Sequence, residues 1–211
     1  AYRPEEKSVG AGQVLQSAYD FQKTRNVVRE MADALALELV EKGLATDQLT
    51  LTVGYDIENI QDPERLSRYQ GEIKKDRYGR FVPKHSHGTE NIGKYTSSTR
   101  KIRNAADALF HRIVAPGLLI RRLNITANRV LPEREVPEAD ACEQMDLFVD
   151  YEIMQEEKRR EEAEQVREKK IQSTVLDIKR KFGKNAILKG TALEDGATSR
   201  ERNQKIGGHQ A

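Results

Sequence analysis

The apolar positions of this sequence follow two periods, and the helical period occurs in two segments. The first segment begins after Asp20, a residue suited to capping a helix, and stops at Gly43. The second begins after Ser97 or Ser98 and stops at Pro116-Gly117. Their apolar residues are Val27, Val28, Met31, Leu35 and Leu39, then Ile102, Ala105, Ala106, Leu109, Phe110 and Ile113. This spacing predicts two amphipathic helices that share one core.

Alternation of apolar and polar residues, which is typical of half-buried strands, occupies two other segments. Its apolar positions are Leu49, Leu51, Val53 and Tyr55 in the first and Leu123, Ile125 and Ala127 in the second. We predict less regular strands at residues 6–15 and 82–92. The order β-α-β-β-α-β predicts an α+β fold, with a four-stranded antiparallel sheet and two helices on one face.

The other face of this sheet is left for solvent or a partner, because two helices can cover only one face. Its predicted residues are Thr50, Thr52, Gly54, Arg122, Asn124, Thr126 and Asn128. Arginine and backbone N–H groups donate to phosphate oxygens, and glycine lets a ligand approach the backbone closely. Both a nucleic-acid surface and an ordinary solvent-facing sheet fit this pattern.

Basic residues gather between Lys74 and Arg129, although the net charge of the chain is only +2. They include KKDRYGR and the segment KYTSSTRKIR, where hydroxyl groups and a helix N-terminus could hold a phosphate. The predicted open face carries no aromatic pair of the kind on which the RNA-recognition fold stacks bases. The pattern therefore favours contacts with the nucleic-acid backbone over base reading.

The composition of the chain indicates a globular protein. The chain has 211 residues, of which 37% are hydrophobic and 33% charged, as in a globular protein with a large polar surface. It has no apolar run of membrane-spanning length and no recognisable signal peptide, so we expect a cytoplasmic protein without a membrane partner. Cys142 cannot form an internal disulfide. The sequence begins at Ala1 rather than Met, from which we expect a piece of a larger protein.

The chain changes character after the predicted sheet domain, residues 5–131. Residues 132–150 contain prolines and little patterning, which predicts a linker. Residues 151–182 carry opposite charges at i,i+4 spacing, which predicts a long, solvated helix. The apolar residues through which this helix could dock or self-associate are Ile171, Val175, Leu176 and Ile178. Residues 183–211 are polar and rich in glycine, and we expect a mobile tail.

Several segments together resemble the little-finger domain of the Y-family translesion DNA polymerases of the UmuC/DinB, or DNA polymerase IV-like, type. The resemblance covers roughly residues 5–131 and rests on KSVGAGQ, LTLTVGYD, TSSTRKIRNAADALF and LLIRRLNIT. In that family a tether joins the little finger to the catalytic core, and the domain lies in the major groove and holds the primer-template backbones. The connection between Tyr55 and Val82 is longer than the hairpin usual in the family.

The resemblance implies that Lys7, Ser8 and Gly10 on the first strand and Arg121 and Arg122 on the last contact phosphates. Together with residues chosen for their chemistry, the predicted DNA-binding set is Lys7, Ser8, Gly10, Lys84, His85, Thr96, Ser97, Ser98, Arg121, Arg122, Asn124 and Thr126. The resemblance to this family also implies that the parent chain is a DNA-directed DNA polymerase that uses magnesium and acts in DNA repair, damage bypass and the SOS response.

One short segment of the linker is similar to the peptide with which bacterial polymerases bind the sliding clamp, the beta subunit. The segment consists of Gln144, Met145, Asp146, Leu147 and Phe148. An extended segment can place its Leu-Phe pair in a preformed groove, and a tether of this kind raises the local concentration of the polymerase. The alternative is a hydrophobic anchor that packs Leu147 and Phe148 against the domain or the following helix.

No catalytic residue, metal site or cofactor is predicted within this segment. His85 and His87 lack further ligands nearby in the sequence, and Asp56 with Glu58 lacks the third carboxylate expected of a phosphoryl-transfer site. Two other functions remain open, an independent RNA-binding domain and a coiled-coil adaptor built on the helix of residues 151–182. Binding to duplex DNA ends would support the polymerase module, and base-specific binding to single-stranded RNA would support the RNA-binding domain. Concentration-dependent association of the helix without nucleic acid would support the adaptor.

Overall fold

The computed structural model describes residues 8–76, 78–137, 151–206 and 209–210. Its strands and helices follow the predicted β-α-β-β-α-β order, with two short helices and a small hairpin inserted before the third strand of the sheet. Up to residue 132 they are β1 Val9–Tyr19, α1 Phe21–Glu41, β2 Leu44–Tyr55, α2 Glu58–Gln61, α3 Pro63–Arg68, β3 Ile73–Lys75, β4 Phe81–Pro83, β5 Ser86–Thr96, α4 Thr99–Ile113, β6 Ile120–Asn128 and β7 Leu131–Pro132. They continue with α5 Tyr151–Phe182, α6 Ser199–Arg202, β8 Lys205–Ile206 and β9 His209–Gln210.

The main sheet is antiparallel and has the strand order β1-β6-β2-β5, with β7 added to β2. The last long strand, β6, therefore lies between the first two. In this register Thr126 of β6 is opposite Gly10 on one side and Thr50 on the other. Helices α1 and α4 pack together on one face. The α+β fold class predicted from the sequence is confirmed.

The core forms where the two helical stripes meet the apolar face of the sheet. The residues predicted for the first stripe, and four of the six predicted for the second, are buried: Val27, Val28, Met31, Leu35, Leu39, Ile102, Ala106, Leu109 and Phe110. Asp20 caps α1 as predicted, because its carboxylate accepts a 2.9 Å hydrogen bond from the N–H of Lys23. Gly43 ends the helix region with a φ of +63°, which glycine adopts at little cost.

The third strand of the sheet lies further along the chain than the sequence predicted. Residues 82–92 are divided between β4, which belongs to a separate hairpin with β3, and β5, which extends to Thr96. The sequence did not predict this division into two strands, because β5 does not alternate apolar and polar residues. At Gly88 a Cβ atom would lie 2.7 Å from a methyl group of Ile113, so the helix layer there packs directly on the strand backbone.

The long charged helix, α5, spans the predicted residues and packs against the sheet domain rather than standing alone. Its Gln172 is only 5% exposed, and the side-chain amide donates to the carbonyl oxygen of Ser97 at 2.9 Å and to Thr99 Oγ1 at 2.8 Å. Arg180 contacts Glu41 of α1 at 3.2 Å. The helix therefore lies over α1 and the N-terminal end of α4.

The polar tail after α5 runs back along α1. Glu30 of α1 accepts hydrogen bonds from the backbone N–H groups of Thr198 at 2.8 Å and Ser199 at 3.1 Å. Lys189 pairs with Asp33 at 2.8 Å. The tail expected to be mobile thus has specific partners on α1, while its mobility stays a prediction. Among the described residues, no helix is long and apolar enough to cross a membrane.

Candidate nucleic-acid interface

The sheet face opposite the helices carries a continuous set of small and polar residues. Directly opposed positions on antiparallel strands share a face, so the strand register defines this set. The open face consists of Gly10, Gly12 and Val14 on β1, Arg122, Asn124, Thr126 and Asn128 on β6, Gln48, Thr50, Thr52 and Gly54 on β2, and His87, Thr89 and Asn91 on β5. None of these side chains is a carboxylate, and Arg122 adds a positive charge.

Hydrogen bonds between neighbouring strands fix many side chains of the open face. Thr52 Oγ1 and His87 Nδ1 lie 2.9 Å apart, and the hydroxyl oxygens of Thr50 and Thr89 lie 3.2 Å apart. The side-chain amide of Asn128 donates to Thr50 Oγ1 at 2.6 Å. These cross-strand bonds hold the polar groups in place, so that a ligand meets an ordered surface.

Two glycines leave the backbone of β1 uncovered on the open face. A Cβ atom at Gly10 would lie 2.7 Å from Thr126 Oγ1 and 2.9 Å from the carbonyl oxygen of Ile125, so the close approach of β1 to β6 requires glycine there. At Gly12 the nearest atom would be 3.6 Å away, an ordinary contact. This edge of the face can therefore receive a ligand close to the main chain.

A cleft of about 540 Å³ lies between β1, β6 and the tail. Its lining includes the predicted site residues Arg122 and Asn124 together with Gly12. From the tail, Glu201 reaches the edge of the cleft and accepts a 3.0 Å hydrogen bond from Gln16. The tail thus borders the open face on its β1 side and contributes one acid, Glu201, and one base, Arg202, to the lining of the cleft.

Three other predicted site residues lie near one end of the sheet, where Gly54 is opposite Arg122. Arg121 occupies an irregularity in β6 and pairs with Asp56 at 3.7 Å. Lys84 pairs with Glu72 at 2.8 Å, and His85 is exposed just before β5 begins. Arg121 and Lys84 each already have an acidic partner, so a phosphate would have to compete for both cations.

The predicted hydroxyl cluster at the start of α4 is engaged within the protein. Ser98 is the N-cap and 8% exposed, and its hydroxyl donates to Glu168 of α5 at 2.6 Å. The second oxygen of Glu168 accepts from the N–H of Arg100 at 2.9 Å. Ser97 donates to Glu133 at 2.8 Å, and Thr96 accepts from the N–H of Ser98 at 3.0 Å. A carboxylate thus occupies this helix N-terminus, the kind of position that binds anions.

The structure brings Gly10, Arg122, Asn124 and Thr126 together on the open face and places exposed Ser8 just before β1. The sequence did not single out Thr89 and Asn91, because the third strand was predicted too early in the chain. The sequence SHGTENIGKYT held no period-two signal for them, because the inward positions Ser86, Gly88 and Glu90 are not apolar. Lys7 and the predicted clamp-binding residues, Gln144, Met145, Asp146, Leu147 and Phe148, lie outside the described residues.

The two histidines of the sequence HSH differ in their surroundings. Both are exposed, but His87 is bonded to Thr52 on the open face, whereas His85 lies between the hairpin and β5. Within the described parts of the chain, no three His, Cys, Asp or Glu side chains come together as a metal site would need.

Comparison with known proteins links residues 6–147 to one protein family. They match the model described as the impB/mucB/samB family C-terminal domain. A solved structure described as a complex of beta-clamp processivity factor and little finger domain of PolIV also matches, with 8% sequence identity and a TM-score of 0.37. That match covers 68% of this chain and 100% of the other. No curated protein matches the sequence.

Proposed function

Because this chain belongs to the impB/mucB/samB family, we propose that it is the DNA-holding C-terminal region of a translesion DNA polymerase. Its parent chain would be a DNA-directed DNA polymerase of the Y family that acts in DNA repair, damage bypass and the SOS response in the cytoplasm. Magnesium would serve the catalytic core, outside this segment. The observation that carries the proposal is the open face, which presents donors and glycines and no carboxylate.

The open face suits the sugar-phosphate backbone of a primer-template duplex. Arg122 supplies a guanidinium group that can pair with phosphate oxygens, and Asn124 and Thr126 add neutral donors beside it. Gly10 and Gly12 allow a strand to lie against the main chain. The face carries no Phe, Tyr or Trp side chain, and the imidazole of His87 is bonded to Thr52, so its contacts would position the duplex and carry little sequence preference.

The proposal also includes a tether to the bacterial sliding clamp through Gln144, Met145, Asp146, Leu147 and Phe148. The physical support is the pairing of two large apolar residues, Leu147 and Phe148, with nearby polar groups in a proline-containing segment. Such a tether would keep a weakly bound polymerase near the primer end by raising its effective concentration.

Duplex binding is tested with Arg122→Ala and a matched control, Arg134→Ala, whose side chain is 85% exposed next to Glu135. We expect Arg122→Ala to weaken binding of a primer-template about 3- to 10-fold and to reduce the salt dependence by about one phosphate contact. Arg134→Ala should change neither quantity. Equal effects of the two variants would overturn the assignment of the open face.

Clamp binding is tested by titrating this protein against a bacterial sliding clamp. We expect binding in the micromolar range that the double substitution Leu147→Ala/Phe148→Ala abolishes. Because both residues lie in the proposed linker, the melting temperature of the variant should match that of the original protein. Failure of both proteins to bind would leave the Leu-Phe pair as a structural anchor.

A further inference from the structure

The hairpin formed by β3 and β4 exposes an unusual number of large side chains for its size. Tyr78 at its turn is 66% exposed, Phe81 is 55% exposed and Ile73 is 41% exposed. Phe81 is opposite Lys75 on the neighbouring strand. Because exposed aromatic rings are costly in water, a cluster of them on a small projection usually marks a binding surface.

Asp76 ties together the described residues at the end of the hairpin. One carboxylate oxygen accepts from the backbone N–H groups of Tyr78 at 2.8 Å and Arg80 at 3.0 Å. The other accepts from Arg80 Nε at 2.8 Å, and Gly79 completes the turn with a φ of +77°. Burial alone would raise the pKa of Asp76, but these hydrogen bonds outweigh it and lower the pKa. These bonds restrain Tyr78 and Arg80 relative to Asp76, which reduces the entropy lost on binding.

A positive group lies beside each of the two rings. Lys75 Nζ is 5.1 Å from the centre of the Phe81 ring, and the guanidinium carbon of Arg80 is 5.2 Å from the centre of the Tyr78 ring. Within residues 72–84 the only acids are Glu72 and Asp76. Asp76 pairs with Arg80 at 2.7 Å. Lys75 has no acidic partner among the described residues. The hairpin therefore combines flat rings with the uncompensated positive charge of Lys75.

Glu72 fixes the base of the hairpin and takes up the charge of two lysines there. Its carboxylate lies 3.3 Å from Lys74 and 2.8 Å from Lys84, and both contacts lower its pKa, Lys84 more than Lys74. The backbone N–H of Lys84 also donates to the carbonyl oxygen of Glu72 at 2.8 Å. The positive charge available to a ligand is therefore at the ring-bearing part and not at the base.

The hairpin stands at the Arg122 end of the open face. Ser86, the first residue of β5, is opposite Val53, and Gly54 beyond it is opposite Arg122. Only Lys84 and His85 separate β4 from Ser86. The hairpin is therefore the element that adjoins the Arg122 end of the open face along the chain.

We infer that the β3–β4 hairpin binds single-stranded DNA, with bases stacked on Tyr78 and Phe81 and a phosphate paired with Lys75. Aromatic rings beside cations hold unpaired bases of any sequence, whereas the bases of an intact duplex are already stacked on one another. The choice of DNA over RNA rests on the proposed function. The natural ligand is the unpaired template strand next to the primer-template duplex held by the open face.

Fluorescence anisotropy with the full chain tests this inference, using labelled oligo(dT) of about twelve nucleotides, oligo(U) of equal length and a blunt DNA duplex. The test variant is Tyr78→Leu/Phe81→Leu, which keeps apolar side chains but removes the rings. Tyr78→Phe serves as the matched control, because it keeps the ring. All of these side chains are exposed, so circular dichroism should show unchanged folding.

We expect the leucine variant to weaken oligo(dT) binding about 10-fold or more, while the duplex affinity stays within about 2-fold. Tyr78→Phe should bind oligo(dT) normally. Unchanged oligo(dT) binding by the leucine variant, or an equal loss on the duplex, would overturn the inference. Tighter binding of oligo(U) than of oligo(dT) would overturn the choice of DNA.

Measurement of duplex binding distinguishes a failure of this inference from a failure of the proposed function. If Arg122→Ala leaves duplex binding unchanged, the open face is not a duplex surface and the proposed function fails. The oligo(dT) arm still decides whether the hairpin binds single strands, because it depends on the two rings and not on Arg122.

Discussion

Ser98, the N-cap of α4, donates a 2.6 Å hydrogen bond to Glu168 in the middle of α5. The same carboxylate accepts the N–H of Arg100. A helix N-terminus exposes unpaired N–H groups and partial positive charge, which a carboxylate satisfies much as a phosphate would. The long helix thus holds an anion where the sequence predicted a DNA phosphate.

Replacing Glu168 should therefore expose an anion site at the start of α4. We expect Glu168→Gln to tighten binding of duplex DNA about 3- to 10-fold, because it removes a negative charge and weakens the internal competitor. Glu162→Gln makes the same charge change on an exposed part of α5 and should have less than about 2-fold effect. Equal gains for the two variants would show that only the net charge of α5 matters.

Asp107 joins the two core helices through a pair of arginines. It accepts hydrogen bonds from Arg25 at 2.7 Å and from Arg29 at 3.0 Å. Because three side chains share this partly buried site, we expect Asp107→Asn to lower the free energy of unfolding by about 1–3 kcal/mol. Chemical denaturation at neutral pH measures the loss. Lys42→Ala, which removes an exposed pair with Glu38, should cost less than about 1 kcal/mol.

The same carboxylate should make stability depend on pH. The hydrogen bond from Arg25 is the main cause that holds the pKa of Asp107 far below its usual value, with Arg29 adding to it against the opposing effect of burial. A lowered pKa contributes stability that is complete above the unfolded value of about 4 and is lost as the pH falls toward the folded value. Between neutral pH and about pH 3, the original protein should lose more stability than Asp107→Asn. Parallel pH profiles would contradict this.

Gly10 and Gly12 offer a matched pair of substitutions on β1. Alanine at position 10 would press against Thr126 and the backbone of Ile125, whereas alanine at position 12 has room. We expect Gly10→Ala to lower the free energy of unfolding by about 1–3 kcal/mol and Gly12→Ala to change it by less than about 0.5 kcal/mol. Urea denaturation of both variants checks the difference, and similar values would argue against a close approach of β1 to β6.

Glu30 should control whether the tail stays on α1. Removal of its carboxylate leaves the N–H groups of Thr198 and Ser199 without their acceptor. We expect Glu30→Ala to speed trypsin cleavage near Arg200 and Arg202 by about 10-fold, because release of the tail exposes its backbone. Lys23→Ala removes only an exposed pair with Asp195 and should leave the cleavage rate nearly unchanged. A tail cleaved equally fast in the original protein would support the predicted mobility.

The fold could be predicted where the pattern is local. Leu49, Leu51 and Val53 alternate with hydroxyl residues because each strand turns one face to the core. In β5 this alternation is missing, because two of the positions that face the helix layer are not apolar. Gly88 packs directly under the helices, and Glu90 pairs with Arg112. A strand whose inward positions are not apolar gives no period-two signal.

The candidate site was predictable in its central part and not in its surroundings. Arg122, Asn124 and Thr126 follow from the alternation in β6. The contacts of Glu168 and Glu30 could not be predicted in this way. A charged residue in a helix is expected to be exposed, and the partners of these two residues lie far away in the sequence. Of the two hairpin rings, Tyr78 lies in KKDRYGR, a segment noted only for its basic residues and its turn signal, and Phe81 follows that segment.

The position of β6 between β1 and β2 has a consequence for how this protein is made. Gly10 of β1 and Thr50 of β2 both pair with β6, which is synthesised later than either of those strands. The sheet therefore cannot form before residues 120–128 have left the ribosome. Until then the inner edges of β1 and β2 lack their neighbour and can pair with other chains. We expect the nascent domain to depend on prompt synthesis of β6, and shortened chains that end before it to aggregate.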